Sequence, residues 1–341
     1  MLTRLRGMPQ PRLALMPYFA GATPVRAARL PAASSWRTAG GSGVPPMLSR
    51  SLSAVLGRLR PQAIERYWSR AFAAGGVETW LAEPAVRRYV NARVTGSPDS
   101  WPMEWLASRY PRGFERAVSL GCGDGALERD LRCKSLCGWV VGIDLSTGAL
   151  ALAVALARAA GVRKIAYMRQ DLNALALPEG AFDAAFFHQA LHHVEDLEGC
   201  LAEVAASLKP DGMLYLDEYV GPSRSEWRRS LLEAAEAVYQ GLPRLVRRRR
   251  RLALPVDWRD PSEAIRSSEI LTALAARFAI ELRRDYGGTF LSVIYPHLNL
   301  SRSSPAESEQ TLATIIDAEH SYLIGGGSSY YTVVIARPRE S

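Results

Sequence analysis

Acidic residues are missing from the first sixty positions of this 341-residue chain, and so is lysine, while nine arginines stand there. Lysine is scarce everywhere: three residues (Lys134, Lys164, Lys209) among 42 basic ones. That skew reads as GC-biased coding rather than as a surface built to be basic. The net charge of +8 misleads for the same reason, because residues 61–341 hold 33 basic and 34 acidic groups. The body of the protein is neutral. Recognition of a polyanion needs a basic patch on the folded body, so nucleic acid is not an expected partner.

Long apolar runs are also missing. No stretch approaches the ~20 residues of a membrane-spanning helix, and Arg12 to Ala20 is too short for a secretory core segment. Four cysteines (Cys122, Cys133, Cys137, Cys200) are too few and too irregularly spaced for a disulfide framework. Cys133-x-x-x-Cys137 lacks a second Cys/His pair to complete four ligands, so no metal site is expected. The cysteines read as reduced packing residues of a cytoplasmic protein. The acid-free start has three readings: an organellar transit peptide, which would move the location to a matrix; an upstream extension with initiation at Met47; or a basic arm without regular structure. The second is preferred, and residues 1–46 are expected to be dispensable.

Hydrophobic content of 48% and charged content of 22% fit a soluble globular chain. Residues 62–92 carry aromatic and apolar positions at helical spacing, broken by Gly75-Gly76 and Pro84, and predict two or three short helices. Trp101 to Tyr110 predicts another. From Ala117 the pattern changes. Short apolar runs at 117–120, 138–143, 165–169, 182–187 and 213–219 alternate with helical stretches, notably 146–160 and 197–208. Nearly continuous apolar strands alternating with helices mean a parallel sheet covered on both faces. Further on, helices are expected at 226–240, 267–278 and 306–323, with strands at 279–286 and 330–336. The fold class expected is α/β, a mostly parallel seven-stranded sheet with helices on both faces and helical cap segments. The boundaries drawn are 1–60, a basic arm; 61–112, a helical cap; 113–220, the core; 221–278, a helical insertion; and 279–341, the last strands with an inserted helix.

The turn after the first strand reads Gly121-Cys122-Gly123-Asp124-Gly125. Glycines allow a ligand to lie against bare backbone at a helix N-terminus. By itself this is weak, since Gly121-x-Gly123-x-x-Ala126 also fits the looser dinucleotide fingerprint. Asp144 ends the second strand, where a carboxylate can accept both ribose hydroxyls of an adenosine. Gln170-Asp171-Leu172 ends the third, where a carboxylate can meet an adenine amino group. Phe182-Asp183 opens the fourth, which leads to His188, His192 and His193. Ligands of open parallel sheets bind at these carboxyl ends.

Together with Leu208-Lys209-Pro210-Asp211-Gly212 before the fifth strand, these landmarks resemble the class I, Rossmann-like S-adenosylmethionine-dependent methyltransferases. The resemblance covers Val118 to Tyr219. Outside it, Tyr89 to Gly96, Glu218 to Arg224, and Asp260 to Ile270 with Tyr286 to Thr289 resemble bacterial methyltransferase-like proteins of unassigned substrate. The resemblance implies S-adenosylmethionine as cofactor. Leu120, Gly121, Cys122, Gly123 and Gly125 would line its methionine part, Asp144 and Leu145 its ribose, Asp171 and Leu172 its adenine, and His188 the methyl. One departure stands out: many members carry an acid two residues before the first glycine, where this chain has Ser119. Asp124 is a candidate substitute.

Methyl transfer by this class is chiefly positioning, and a base is needed only for a hydroxyl or acidic carbon. His188 and Glu218 are the catalytic candidates; His192, His193 and Tyr219 are weaker ones. The expected acceptor is a small molecule: a sugar, a lipid or a secondary metabolite. A nucleic-acid or protein methyltransferase is the alternative. No Asn-Pro-Pro-Tyr or Asp-Pro-Pro-Tyr follows strand four, however, and no Pro-Cys nucleophile is present. An NAD-dependent oxidoreductase would lack Tyr-x-x-x-Lys and leave Asp171 unexplained. A non-catalytic cofactor-binding protein is a further alternative. The run Arg247 to Arg251 reads either as an anion site or as a solvated helix end. The rings of Tyr67, Trp68, Trp80, Trp101, Trp105, Trp227, Tyr239 and Trp258 are material for a lid or for core.

Overall fold

The computed structural model describes residues 50–74, 79–253 and 259–339. The segment 1–46 and Trp258 lie outside these. Seven strands form one sheet: β1 (Phe114–Leu120), β2 (Cys137–Asp144), β3 (Ile165–Arg169), β4 (Phe182–His188), β5 (Leu208–Tyr219), β6 (Phe278–Gly287) and β7 (Tyr331–Pro338). Their order is β3-β2-β1-β4-β5-β7-β6. The first five are parallel, and β7 runs antiparallel between β5 and β6. The expected α/β architecture is the one observed.

Strand side chains point alternately to the two faces, and the sequence obeys this with apolar residues on both. Val118, Leu120, Ile143, Ala185, Phe187, Leu214 and Leu216 form one buried layer, covered by α6 (Leu197–Ser207) and α8 (Ile270–Arg277). Ala117, Val140, Ala184, Phe186, Met213, Tyr215 and Ile335 form the opposite layer. Over it lie α2 (Pro84–Thr95), α3 (Pro102–Arg109), α4 (Ala126–Cys133), α7 (Arg229–Gly241) and α10 (Pro305–Ile324). Trp80 and Tyr239 belong to this core and not to a lid.

Three elements depart from the periodic reading. The N-terminal helix α1 (Arg50–Ala73) is one long element that crosses residue 60, with Pro61 inside it. It packs along α5 (Thr147–Ala159), where Ser69 Oγ lies 2.9 Å from Ser146 Oγ and Glu65 accepts from the Thr147 hydroxyl at 2.7 Å. Strand β5 begins at Leu208, before Lys209-Pro210-Asp211-Gly212 and not after it: Leu208 pairs with Phe182 and Met213 with Ala184, the residues between forming a bulge. Lys209 holds that bulge through Asp183 Oδ1 at 2.7 Å, whose Oδ2 accepts from Arg116 N. The short helix α9 (Thr289–Ile294) has no periodic signal of its own. Its N-terminus is set by Glu319 of α10, a fully buried carboxylate that accepts from the Gly288, Phe290 and Leu291 amides at 2.7, 2.8 and 3.0 Å. Among the described residues no helix is long and apolar enough to cross a membrane.

Candidate functional site

The chain order reverses beside β1: β2 and β3 lie to one side, β4 and β5 to the other. The crevice at the carboxyl ends there is the place for a ligand in such a sheet. Gly121 and Gly123 form the turn leaving β1, with φ of +70° and +53°. A Cβ on Gly121 would come 2.3 Å from the Ala190 Cβ, and one on Gly123 would come 2.9 Å from the Phe72 ring. Only glycine fits either position. The amides of Gly121 and Cys122 both donate to Ile143 O at 2.8 and 2.9 Å, tying the turn to β2. Leu120 and Cys122 are buried, so what they can offer a ligand is backbone.

Asp144 ends β2 with both oxygens engaged: Oδ2 accepts from Gly123 N at 2.9 Å and Oδ1 from Ser146 N at 2.8 Å. Burial raises its carboxyl, and these amide donors oppose the rise. Lone pairs remain for further donors such as ribose hydroxyls. The next residue, Leu145, accepts through its carbonyl from Arg169 Nε at 3.1 Å. Asp171 uses Oδ1 on Asn173 N at 2.9 Å, and Leu172 reaches the wall beside Gly121. The residues expected to bind cofactor are therefore brought together on consecutive strand ends.

Sequence reasoning missed Glu128. It lies in the first turn of α4, fully buried, and neither carboxylate oxygen finds a hydrogen-bond donor of good geometry. Burial pushes its carboxyl up to about 7, opposed by the Ser119 hydroxyl. An acid therefore does stand beside position 119, delivered from the helix and not from the strand. A buried carboxylate with no more than a poorly aligned hydroxyl beside it fits a site that receives a cationic ligand group.

At the end of β4, His188 is well exposed and its Nε2 lies 3.6 Å from Asp217 Oδ2. Asp217 is held from behind by the Tyr286 hydroxyl at 2.6 Å and by Gln189 Nε2 at 3.3 Å. Gln189 adopts φ +55°, a strained value for a residue with a side chain, where the chain leaves the strand. Glu218 is completely buried. It accepts from the amides of Ala190, Leu191 and Tyr219 at 2.8, 2.6 and 2.8 Å, and its Oε1 makes a short contact with His192 Nδ1. Its carboxylate shapes the turn after β4 and orients His192; it presents no free face to an acceptor. Trp68 of α1 packs edge-on to His193 at 5.1 Å and near Phe72 at 6.0 Å, so α1 covers this crevice. The arginine run is tied down by carbonyls: Arg249 O accepts from the Tyr239 hydroxyl and Arg250 O from Gln240 Nε2.

A sheet of this order, with a glycine turn and strand-end carboxylates at its switch point, defines the class I methyltransferase architecture. Residues 118–216 match the family model for a methyltransferase domain. An uncharacterised methyltransferase of Mycobacterium tuberculosis is 28% identical over 156 residues, covering 46% of this chain and 75% of that protein. The ubiquinone biosynthesis O-methyltransferase of Ralstonia nicotianae is 33% identical over 114 residues, 33% of this chain and 47% of that protein. The S-adenosylmethionine-dependent methyltransferase of Mesorhizobium loti, a solved structure, aligns with a TM-score of 0.40 at 24% identity, covering 69% and 97% of the two chains. Residues 118–216 are thus a methyltransferase domain of the class I, S-adenosylmethionine-dependent kind, and S-adenosylmethionine is its cofactor.

Proposed function

We infer that this enzyme methylates a small-molecule acceptor at an oxygen. The observation that carries the reading is the pair His188 and Asp217 at the carboxyl end of β4, a ring open to solvent backed by a carboxylate. A hydroxyl needs a proton acceptor in order to attack; an amine or thiolate does not. The relative that acts in ubiquinone biosynthesis as an O-methyltransferase supports the same chemistry. The neutral body and the covering helix α1 favour a compact acceptor over a nucleic acid.

S-adenosylmethionine supplies a methyl already activated on a sulfonium. The chain's own residues do the rest. Gly121, Gly123 and Gly125 let the methionine part lie on bare backbone, and Glu128 offers its ammonium a charge. Asp144 holds the ribose, and Asp171 with Leu172 borders the adenine. His188 takes the acceptor's proton, and Asp217 stabilises the cation so formed. Glu218 acts through His192 as a positioning residue. Incubating purified protein with S-adenosylmethionine and a panel of phenols, sugars and amines, with S-adenosylhomocysteine read by mass spectrometry, tests the reading. Turnover of hydroxyl acceptors supports it, and turnover confined to amines or to RNA overturns it.

A further inference from the structure

Two adjacent histidines leave β4 on one short turn, Leu191–His193, with ring centroids 4.0 Å apart. Each ring is held from behind at the same nitrogen. His192 Nδ1 meets Glu218 Oε1, and His193 Nδ1 lies 3.2 Å from Ser262 Oγ and 3.6 Å from Asp260 Oδ2. Asp260 is itself buried, and its Oδ1 accepts from Ser262 N and Oγ at 2.8 and 2.6 Å. Its Oδ2 has no hydrogen-bond donor. The loop that brings these residues is pinned to the histidine turn by Ile265 N donating to His192 O at 3.2 Å.

His192 has the arrangement seen around metal-binding imidazoles, where one ring nitrogen donates to a carboxylate and the other is left to ligate. His193 reaches its carboxylate through the Ser262 hydroxyl, which donates to Asp260 Oδ1. A third group completes the set. One ligand atom from each of His192, His193 and Glu263 lies within 4.8 Å of the other two, the one such group among the described residues. Metal–ligand bonds of about 2.0–2.2 Å would require the three to close in slightly. Trp68 and Tyr219 wall the cluster, edge-on to His193 and His192 at 5.1 and 5.9 Å.

We propose that His192, His193 and Glu263 form a binding site for one divalent transition-metal ion, with Glu218 and Asp260 orienting the two imidazoles. Two imidazoles and one carboxylate suit zinc, manganese or iron(II), and three protein ligands leave positions open. The site needs only the residues named. Its use rests on the functional reading above. The turn begins three residues after His188, and with His188 facing the acceptor an ion here would hold an oxygen of that acceptor. The acceptor class that fits is one with a second oxygen beside the methylated hydroxyl.

The test is a titration of the untagged, chelator-treated full chain with Co2+, followed by visible absorption. One ion bound per chain and displaced by Zn2+ is expected. Glu263→Gln and His193→Ala should each weaken binding at least about tenfold, and Asp260→Asn by roughly 10–100-fold, the usual cost of losing an orienting partner. Glu263 is partly exposed, so Glu263→Gln should fold, with circular dichroism as the check. Absence of a stoichiometric cobalt band, or equal affinity in folded Glu263→Gln and wild type, overturns the site. Stoichiometric binding with methyl transfer indifferent to chelator keeps the ion and overturns its place at the acceptor. Failure to turn over any hydroxyl, with the cobalt band intact, counts against the functional reading alone.

Discussion

The Phe72 ring of α1 rests on Gly123, one ring carbon 2.9 Å from where a Cβ on that glycine would sit. The first helix therefore closes directly on the glycine turn proposed to receive the cofactor. Gly123→Ala meets both this ring and a left-handed backbone at φ +53°. The strain should cost about 1–2 kcal/mol in stability. It should also displace Phe72 and weaken S-adenosylmethionine more than tenfold. Thermal melts and calorimetry on the same preparation measure the two effects, and unchanged affinity would remove the turn from the cofactor site.

Asp144 braces the same turn from β2 through the Gly123 amide. Asp144→Ala removes that brace together with the proposed acceptor for the ribose. A charge-assisted hydrogen bond is worth roughly 1.5–3 kcal/mol, and S-adenosylmethionine affinity should fall by that amount. Isothermal titration of the folded variant decides it.

Glu128 gives a pH dependence whose sign is fixed. Its folded value of about 7 lies above the reference 4.5, so the folded protein holds a proton there that the unfolded chain has released. Stability from this group is full below about 4.5 and is lost as pH rises to about 7, by on the order of 3 kcal/mol. Glu128→Gln should remove the slope: its melting temperature matches wild type near pH 4.5 and exceeds it at pH 8. A lower melting temperature for the variant at pH 8 would show that the ionised acid is satisfied in the fold.

His188 and Glu218 should separate in their effects. His188 is well exposed, so His188→Ala should leave the melting temperature within a few degrees and cut turnover by about 10²-fold or more, the scale of a positioned acid–base group. Glu218→Gln loses the charge that meets three amides and His192. Breaking a buried charged network costs on the order of 3 kcal/mol, so this variant should lose stability and turnover together. Full turnover in His188→Ala would move proton transfer elsewhere.

Much was legible because it is local. The apolar runs of β1 to β4 and their helices follow from side-chain periodicity, and both faces of the sheet are buried, as continuous runs require. Gly121, Gly123, Asp144 and Asp171 could be named as candidates because ligands of parallel sheets lie at strand ends, and the strands themselves are local. The stretch Lys209 to Gly212 resisted the same logic, since a bulge held by Asp183 is a cross-strand event. So did α9, whose start is fixed by Glu319, a residue on another helix.

The sequence by itself determined the fold class, because short-range apolar pattern writes it out, and its resemblance to a known family pointed to the cofactor. Only the tertiary structure decided what the charged residues around that crevice do. Burial and partners are set by packing between distant segments, and no spacing along the chain encodes them. Ser119 on β1 and Glu128 on α4 lie on either side of the glycine turn but share one buried space. Glu218, a candidate base in the sequence, became the brace for His192 because β5 sets it beneath the turn after β4. Glu263 and Asp260, given no role by the sequence, came to stand around two histidines about seventy positions earlier.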